Sequence, residues 1–374
     1  MVEQQHEVHL VAQELDPCIA KLGVVSHQLD TCRNRLDFAE AAKQITAPLA
    51  LDVVHDMGRG WHCDVFHPHN GSRSAAFEHN LRMEPAWKRP LKRVGQRMLP
   101  RYRDFEQLMA RQYTGDRRIY VAVSQMVARH FQQYHDIDAS RIRQIYNGVD
   151  LERFAPHQQQ SWRAPLRQRL AVRDDEVLLL LVAHNLRLKG MGTLLHACSA
   201  LRRAQHPVRL VVVGGKRLGH YPQLAKQLGI ADAVTMIGAV QNTVPYYAAA
   251  DVYVQPTYYD PCSLVVLEAM ASQLPVVTTR YNGVAELMTH GVNGRLFDDP
   301  SDWRELTDSL LPLMDAGARR TMGAAARRLA EAHPLERNFS QIVDVYRELE
   351  PSPQTIPAKF PSIAASTKSI RHAA

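Results

Sequence analysis

The second half of the chain alternates between short apolar runs and longer segments in which apolar residues recur at helical spacing. Short apolar runs are typical of buried strands, and the helical segments between them are the crossovers that parallel strands require. The predicted strands are 177–183, 209–213, 233–237, 252–255 and 275–279. The predicted helices are 191–204, 222–228, 243–249, 263–271 and 283–288. This order predicts an α/β domain with a doubly wound parallel sheet.

The first part of the chain shows the same alternation less regularly. Strands are predicted at 6–11, 49–56, 118–124 and 141–149, and helices over 78–113 and from Ser124 to about residue 134. The polar segment Q-Q-Q-S-W-R-A-P at 158–165 is interpreted as the surface connection between two domains. We therefore expect one α/β domain at 1–150 and a second at 151–335. A helix at 336–350 follows, and the tail 351–374 is rich in Pro, Ser and Ala and is predicted to be disordered.

Composition supports a globular protein. With 374 residues, 45% hydrophobic and 22% charged, the chain is long enough for two domains with their own cores. The longest uninterrupted apolar run, 177–183, is too short to cross a bilayer. No basic leader with an apolar core opens the sequence, so we expect a cytoplasmic protein. Its five cysteines lack metal-ligand spacing, and we expect reduced thiols and no metal site.

The net charge of +7 is concentrated in one window. Residues 82–118 hold roughly eleven Lys or Arg against four acids, interleaved with aromatic residues. Three interpretations remain open: a solvated helical face, a surface for an anionic membrane or a phosphorylated glycolipid, and a nucleic-acid surface. No nucleic-acid-binding module surrounds the window, so we favour a peripheral contact with the inner face of an anionic membrane.

Two carboxylates eight positions apart flank a predicted loop-to-helix junction, at Asp260 and Glu268. Ser263 is a plausible helix cap, and the run that follows it forms helices well. Backbone N–H groups of Cys262, Ser263 and Leu264 would then point into a cleft, where they could hold a phosphate or a sugar hydroxyl. Glu268 lies about two turns further along nearly the same helix face, where a carboxylate can accept two neighbouring hydroxyls.

Lys189 stands between a predicted buried strand and the helix that follows it. That position is the carboxyl edge of a parallel sheet, where ligands bind in α/β domains. The Lys189 ammonium is therefore a candidate for binding an anion, and Arg187 is a possible second cation.

Together these segments resemble the family 4 retaining glycosyltransferases of the B fold, which consists of two facing Rossmann-like domains with a cleft between them. The resemblance covers about residues 120–297, and within it the bacterial lipopolysaccharide-core glucosyltransferases are the most similar group. The matching segments are N-G-V-D-L-E-R-F at 147–154, N-L-R-L-K-G at 185–190, the carboxylate segment from residue 260, R-Y-N-G-V-A-E-L at 280–287 and G-V-N-G-R-L-F at 291–297. From the same resemblance we expect the late helix 336–350 to return to the first domain.

The resemblance implies roles for the donor-side residues. Lys189 would oppose the charge that builds on the departing diphosphate, with Arg187 as a helper. Arg153 would replace an arginine that the family more often has upstream of the lysine. Asp260, one methylene shorter than the family's usual glutamate, would contact hydroxyls of the transferred sugar, and Glu268 would bind the nucleotide ribose.

For the acceptor side, the loop W-H-C-D-V-F-H-P-H-N-G offers three candidates. Asp64 matches a cleft carboxylate of the lipopolysaccharide glucosyltransferases, and His67 or His69 could instead perform the polar role. A histidine with an ordinary pKa near 6.5 exchanges protons at neutral pH. A His-x-His zinc site has no evident third ligand.

In the family, a first strand, a glycine-rich loop and a first helix precede the strand predicted at 6–11, and the given sequence lacks them. We expect an unpaired edge or an internal gap in the first sheet, and poor solubility or weak activity that an upstream extension of about 30 to 40 residues would correct.

The expected function is transfer of a hexose, with glucose favoured, from a UDP-sugar to a cell-surface glycolipid, with retention and without a metal or other cofactor. A binding-only or inactive paralogue is the alternative. An NAD-dependent dehydrogenase is not supported, because no G-x-G-x-x-G follows an early strand.

Overall fold

The computed structural model describes residues 1–2, 5–98, 100–115, 117–215 and 218–349. The tail 351–374, for which the sequence predicts disorder, lies outside the described residues. The described chain forms two α/β domains with parallel sheets, which confirms the predicted fold class.

Within the described residues, the first domain contains six short strands and five α-helices. The strands are β1 (His9–Ala12), β2 (Val25–Gln28), β3 (His55–Asp56), β4 (Val65–Phe66), β5 (Ile119–Ala122) and β6 (Ile142–Gln144). The helices are α1 (Arg35–Thr46), α2 (Arg73–Arg82), α3 (Lys88–Met98), α4 (Pro100–Gln112) and α5 (Gln125–His135). Strands β3, β4, β5 and β6 form one parallel sheet in that order. The apolar strand β5 is its buried centre.

Strands β1 and β2 form a separate parallel pair that is not hydrogen-bonded to the larger sheet. Two adjoining cavities, of about 800 and 200 Å³, lie between this pair and β3. Residues of β1 and the segment that ends in β3, such as Val53 and His55, line both cavities. These cavities thus separate β1 from β3 within the described residues.

The second domain is a six-stranded parallel sheet in the order β12-β11-β10-β7-β8-β9. Its strands are β7 (Val177–Val182), β8 (Val208–Val213), β9 (Val234–Gly238), β10 (Val252–Gln255), β11 (Val276–Thr279) and β12 (Arg295–Phe297). Its helices are α6 (Pro156–Arg169), α7 (Met191–Arg203), α8 (Tyr221–Gln227), α9 (Val244–Ala249), α10 (Leu264–Ala271), α11 (Trp303–Leu310) and α12 (Ala316–Glu331). The predicted strands match β7 to β11, and four of these, β7, β8, β10 and β11, are almost entirely buried and apolar, whereas every residue of β9 is partly exposed.

Two predictions of local structure are wrong. The segment 158–165 is part of helix α6 and not a connection between domains, because Pro156 occupies the first helical turn and Arg163 donates hydrogen bonds to the carbonyls that end α9. The predicted helix 78–113 is three helices, α2, α3 and α4, since prolines at 85 and 100 interrupt the chain where α3 and α4 begin. None of the helices within the described residues combines the length and apolarity needed to span a membrane.

A last helix, α13 (Leu335–Arg347), packs on the sheet of the first domain, where Val345 joins Val65 and Val121 in one buried cluster. The chain thus crosses between the domains twice. The two crossings run side by side, because Val149 forms a parallel bridge with Pro334 and its N–H donates to the His333 carbonyl.

Candidate active site

Loops from the carboxyl ends of both sheets meet between the domains. After β4, Gly71 has a φ of +64° and lies so close to the other domain that an added Cβ would be 2.5 Å from the Tyr259 hydroxyl. A side chain at this position would therefore disturb the contact between the two domains. Across the same junction, Asn147 donates a hydrogen bond of 2.7 Å to the Cys262 carbonyl.

Lys189 and Asp260 form a close pair of opposite charges in this cleft. Lys189 Nζ lies 2.5 Å from Asp260 Oδ2, and the side chains are 16% and 12% exposed. The buried Gln255 donates a second hydrogen bond, of 3.0 Å, to the same carboxylate oxygen. Gly190, with a φ of +72°, allows the loop that carries Lys189 to lie against the Pro256 carbonyl. Residues 71 positions apart in the chain are thus held as one charged, partly buried unit.

Helix α10 begins beside this pair, and its capping differs from the prediction. Ser263 occupies the N-cap position, but its side chain makes no capping hydrogen bond. Its hydroxyl donates to Gln255 instead, and its N–H donates to the Asn282 side chain at 3.4 Å. Cys262 is buried and Leu264 is half exposed. The Ser263 N–H therefore already has a hydrogen-bond acceptor, the side-chain oxygen of Asn282.

Glu268 lies in α10, where it is largely buried. Tyr247 donates a hydrogen bond of 2.8 Å to Glu268 Oε2. Burial raises the pKa of the Glu268 carboxyl, while the Tyr247 hydrogen bond and the nearby Arg153 act in the opposite direction. Arg153 thus lies close to Glu268, and no contact joins it to Lys189 among the described residues.

Arg187 points toward the first domain and away from Asp260. Its guanidinium lies 2.7 Å from Glu84 and also donates to the Met83 carbonyl, so it bridges the cleft to the end of α2. Nearby, Arg82 stacks on Tyr281 of the second domain. The structure therefore places Arg187 in a contact between the domains.

The two candidate histidines differ in environment. His67 is 3% exposed, its ring nitrogens have no hydrogen-bond partner within the described residues, and burial lowers its pKa to about 2. It packs between His55 and His69. The expectation that His67 exchanges protons at neutral pH is therefore wrong. His69 is exposed, although partial burial lowers its pKa as well.

The expectation that Asp64 faces the cleft is also wrong. Val65 and Phe66 form strand β4 themselves, so Asp64 lies at the amino end of that strand and the cleft loop begins after it. Its carboxylate accepts a hydrogen bond of 2.8 Å from the Val54 backbone N–H, which ties together the starts of β3 and β4.

Sequence reasoning missed several polar side chains that organise the cleft. Gln255 lies at the end of an apolar strand, and Tyr247 lies in a buried helix. Glu286 accepts hydrogen bonds from the Gln125 N–H at the start of α5 and from Tyr146, so it joins the domains. The sequence did offer a signal for these residues, because a polar residue inside an apolar segment is usually buried and needs a hydrogen-bond partner. Within the described residues, no three His, Cys, Asp or Glu side chains are placed to hold one metal ion.

Known protein families match nearly the whole described chain. The profile described as "Glycosyltransferase Family 4" matches residues 1–153, and the profile described as "Glycosyl transferases group 1" matches residues 163–329. The chain is 31% identical over 327 residues to a D-inositol 3-phosphate glycosyltransferase of Geodermatophilus obscurus, with 80% of this chain and 69% of that protein covered. The chain belongs to glycosyltransferase family 4.

Other curated relatives match this family 4 chain over a shorter range. D-inositol 3-phosphate glycosyltransferases of Corynebacterium urealyticum and Salinispora arenicola are 31% and 33% identical to it. The matches cover 61% and 57% of this chain and 56% and 51% of the relatives. The chain therefore spans little more than half the length of these two proteins.

Solved structures share the fold of this family 4 chain. WaaG, a glycosyltransferase involved in lipopolysaccharide biosynthesis, superposes with a TM-score of 0.75 at 20% identity and covers 94% of this chain and 93% of its own. HepE of Anabaena in complex with UDP-glucose superposes with a TM-score of 0.67 at 18% identity, covering 88% of both chains. The two-domain architecture is thus that of the glycosyltransferase B fold.

Proposed function

We propose that this chain is a retaining, metal-independent glycosyltransferase that moves a hexose, with glucose as the expected sugar, from UDP to a glycolipid acceptor. The observation that carries the proposal is the Lys189–Asp260 pair, held at 2.5 Å beside the start of α10 and inside the cleft. This arrangement brings a cation, a carboxylate and a helix N-terminus to one point, which suits a sugar joined to a diphosphate.

Lys189 stabilises the leaving group in the proposed reaction. Cleavage of the sugar–phosphate bond builds negative charge on the diphosphate, and a preorganised ammonium opposes that charge without a metal ion. As Lys189 turns to the diphosphate, Asp260 becomes free to accept hydrogen bonds from the hydroxyls of the transferred sugar. Glu268, held by Tyr247 at 2.8 Å, binds the ribose through its neighbouring hydroxyls.

Retention is proposed to proceed by attack on the same face of the sugar from which the diphosphate leaves. The acceptor hydroxyl forms the new bond to the anomeric carbon, the bond to the phosphate oxygen breaks, and that oxygen takes the acceptor proton. The acceptor would enter from the first domain, past the exposed His69. Burial lowers the pKa of His67 to about 2, which makes its imidazole a weak base near neutral pH.

The acceptor's location at a membrane is supported by helix α3. Trp87, Leu91 and Val94 are 67%, 65% and 55% exposed and share one face at helical spacing. Lys88 and Arg89 lie between them in sequence and have no carboxylate partner among the described residues. An exposed apolar face flanked by cations is typical of helices that lie on an anionic bilayer. We place the protein at the inner face of the cytoplasmic membrane and assign it no nucleic-acid partner.

The curated relatives favour a second acceptor class. They are named for D-inositol 3-phosphate, a soluble phosphorylated polyol. Transfer to such an acceptor would use the same donor site, and only the molecule that enters from the first domain would differ.

Turnover of UDP-glucose by the purified chain tests the proposal. UDP release is measured with lipopolysaccharide core, membrane glycolipid and inositol phosphate as acceptors, each with and without excess EDTA. We expect acceptor-dependent release that persists in EDTA, and a product whose anomeric configuration is α. Loss of activity in EDTA that manganese restores would refute metal independence. UDP binding without turnover on any acceptor would instead support the binding-only paralogue.

A further inference from the structure

The end of helix α2 contacts the second domain through three consecutive residues. Arg82 stacks on Tyr281, with its Cζ atom 4.4 Å from the centre of the ring. The Met83 carbonyl and the Glu84 carboxylate both accept hydrogen bonds from Arg187, whose guanidinium lies 2.7 Å from Glu84. Arg187 is therefore held by the first domain at a backbone oxygen and at a carboxylate oxygen together.

Glu84 is also fixed within its own domain. Lys92 of α3 places its Nζ atom 2.5 Å from Glu84 Oε1, the same oxygen that Arg187 contacts. Arg89 of α3 donates a hydrogen bond of 3.0 Å to the Glu84 backbone carbonyl. The Glu84 side chain is only 10% exposed. A carboxylate that is already held in place loses little freedom when a second cation binds, so its contact with Arg187 is stronger than an ordinary surface ion pair.

On the other side of the contact, Arg187 belongs to the turn that carries Lys189. The carbonyl of Leu188, which lies between these two residues, accepts a hydrogen bond of 2.9 Å from the Tyr258 N–H. Tyr258 stands two positions before Asp260, so the turn is attached to the segment that supplies the carboxylate of the donor site. A contact made at Arg187 therefore sets the position of the first domain relative to both Lys189 and Asp260.

Glu78 provides a contrast on the same pair of helices. It lies in α2, and its Oε2 atom is 2.6 Å from the guanidinium of Arg93 in α3. Among the described residues, no cation of the second domain is paired with Glu78. Glu78 and Glu84 thus both hold α3, but only Glu84 also holds the turn that carries Lys189.

We propose that Glu84 is a positioning residue for sugar transfer. By holding Arg187, it keeps the first domain closed over the donor turn, so that an acceptor entering from the first domain meets the sugar in line with Lys189 and Asp260. Glu84 touches neither the donor nor the acceptor and acts through Arg187. The inference rests on the proposed function, because it concerns the same site. It assigns Arg187 to the contact between the domains and not to the diphosphate.

Amide hydrogen exchange in the full chain tests the contact without a turnover assay. The Gln125 N–H donates a hydrogen bond of 2.8 Å to Glu286 of the second domain, so its exchange rate reports how often the domains separate. We expect Glu84→Gln to speed exchange at Gln125 about tenfold, because a hydrogen bond between charged groups is lost. The control Glu78→Gln, which breaks a pair with Arg93 inside the first domain, should leave the rate within about twofold.

Steady-state kinetics with UDP-glucose separate positioning from a general structural role. The acceptor is the one that gives the fastest UDP release among lipopolysaccharide core, membrane glycolipid and inositol phosphate. Glu84→Gln should lower kcat about tenfold and leave the affinity for UDP within about twofold, because the donor loops belong to the second domain. Arg187→Gln should behave alike, and the double variant should lose no more than either single variant, since both residues act through one contact. A variant that fails to fold would lose UDP binding as well.

Equal exchange rates at Gln125 in Glu84→Gln and Glu78→Gln would overturn the proposal, and so would equal kcat values. Tighter UDP binding by Glu84→Gln would overturn it as well, because Arg187, once released, would then be serving the diphosphate. These failures are distinct from failure of the proposed function. A chain that transfers sugar without dependence on Glu84 refutes this inference alone, whereas a chain with Glu84-dependent exchange and no sugar transfer refutes the proposed function and leaves the contact between the domains established.

Discussion

Lys189 Nζ and Asp260 Oδ2 lie 2.5 Å apart in a cleft where both side chains are mostly shielded from water. The ammonium proposed to oppose the leaving diphosphate is therefore paired with the carboxylate proposed to hold the transferred sugar. The pair keeps both groups in place before a ligand arrives, and arrival of the diphosphate would exchange one anion for another at Lys189.

The first prediction concerns Lys189→Ala. The charge that Lys189 opposes grows in the transition state, so kcat should fall roughly a hundredfold, or about 3 kcal/mol, with a smaller change in KM for the donor. Steady-state kinetics with UDP-glucose measure both constants. Lys226→Ala, which removes an exposed lysine of the same domain, is the control. Equal kcat values for the two variants would contradict the role of Lys189.

Glu268→Gln should weaken donor binding more than turnover. The amide keeps the shape and one acceptor oxygen, but it loses the charge that strengthens hydrogen bonds to ribose hydroxyls, so the affinity for UDP should fall about tenfold. Titration calorimetry with UDP measures the effect. Glu336→Gln, an exposed change in α13, should leave UDP affinity unaltered. An unchanged affinity of Glu268→Gln for UDP would contradict the proposal that Glu268 binds the ribose.

For helix α3, the double variant Leu91→Ser/Val94→Ser should reduce attachment to anionic vesicles about tenfold or more, since it removes apolar area from the exposed face. Attachment should also weaken with added salt, because exposed charges are screened over about 8 Å at physiological ionic strength. Cosedimentation measures both effects, and Leu311→Ser in the second domain is the control. If the double variant sediments like the unmodified chain, α3 is not the membrane contact.

Buried His67 predicts acid sensitivity of the first domain. Its pKa is about 2 in the fold and near 6.5 when unfolded, so between these values the unfolded chain binds a proton that the folded chain does not. Stability is complete above about pH 6.5 and falls as the pH is lowered, by up to about 1.4 kcal/mol per pH unit. Urea unfolding at pH 7.5 and 5.5 should show a smaller loss for His67→Gln. Identical losses would show that His67 is protonated in the fold.

The gap between β1 and β3 predicts that an added strand stabilises the first domain. An N-terminal extension of about 30 to 40 residues that supplies one strand parallel to both edges should raise Tm by about 5 °C or more. A Gly-Ser extension of equal length, which cannot pair with the strand edges, is the matched comparison in a thermal melt. Equal melting temperatures for the two extended proteins would show that a strand added between β1 and β3 does not stabilise the first domain.

Apolar runs predicted the second domain well because β7, β8, β10 and β11 are buried on both faces, so their sequences contain few polar residues. Lys189 and Asp260 were both predicted to lie at the donor site because each stands in the loop that follows a buried strand, and parallel strands bring such loops to one edge, but the direct contact between the two side chains was not predicted. The same reasoning failed for Asp64. Strand β4 has only two residues, too few to show the alternation of polar and apolar side chains that marks a strand. The sequence therefore could not show that a strand separates Asp64 from the loop that follows it.

Contacts that depend on three-dimensional packing could not be predicted. Arg187 stands beside Lys189 in sequence, but its partner Glu84 is 103 positions away in another domain. Arg35 and Arg73 begin separate helices, so no window of sequence contains their shared contact with Phe105. The helix over 158–165 was missed because glutamines and an internal proline conceal its packing on α9.

The paired crossings at Val149 and Pro334 determine how the cleft can open. Two connections that lie together allow the domains to turn about a single axis through that point, whereas connections far apart would resist rotation. Rotation displaces atoms in proportion to their distance from the axis. The Asn147–Cys262 hydrogen bond, two residues from Val149, would therefore survive an opening that separates contacts further out. Substrate exchange would then require breaking only the contacts between the domains that lie far from the axis. The hydrogen bonds near the axis would stay intact and would guide the domains back to the same relative position when they close.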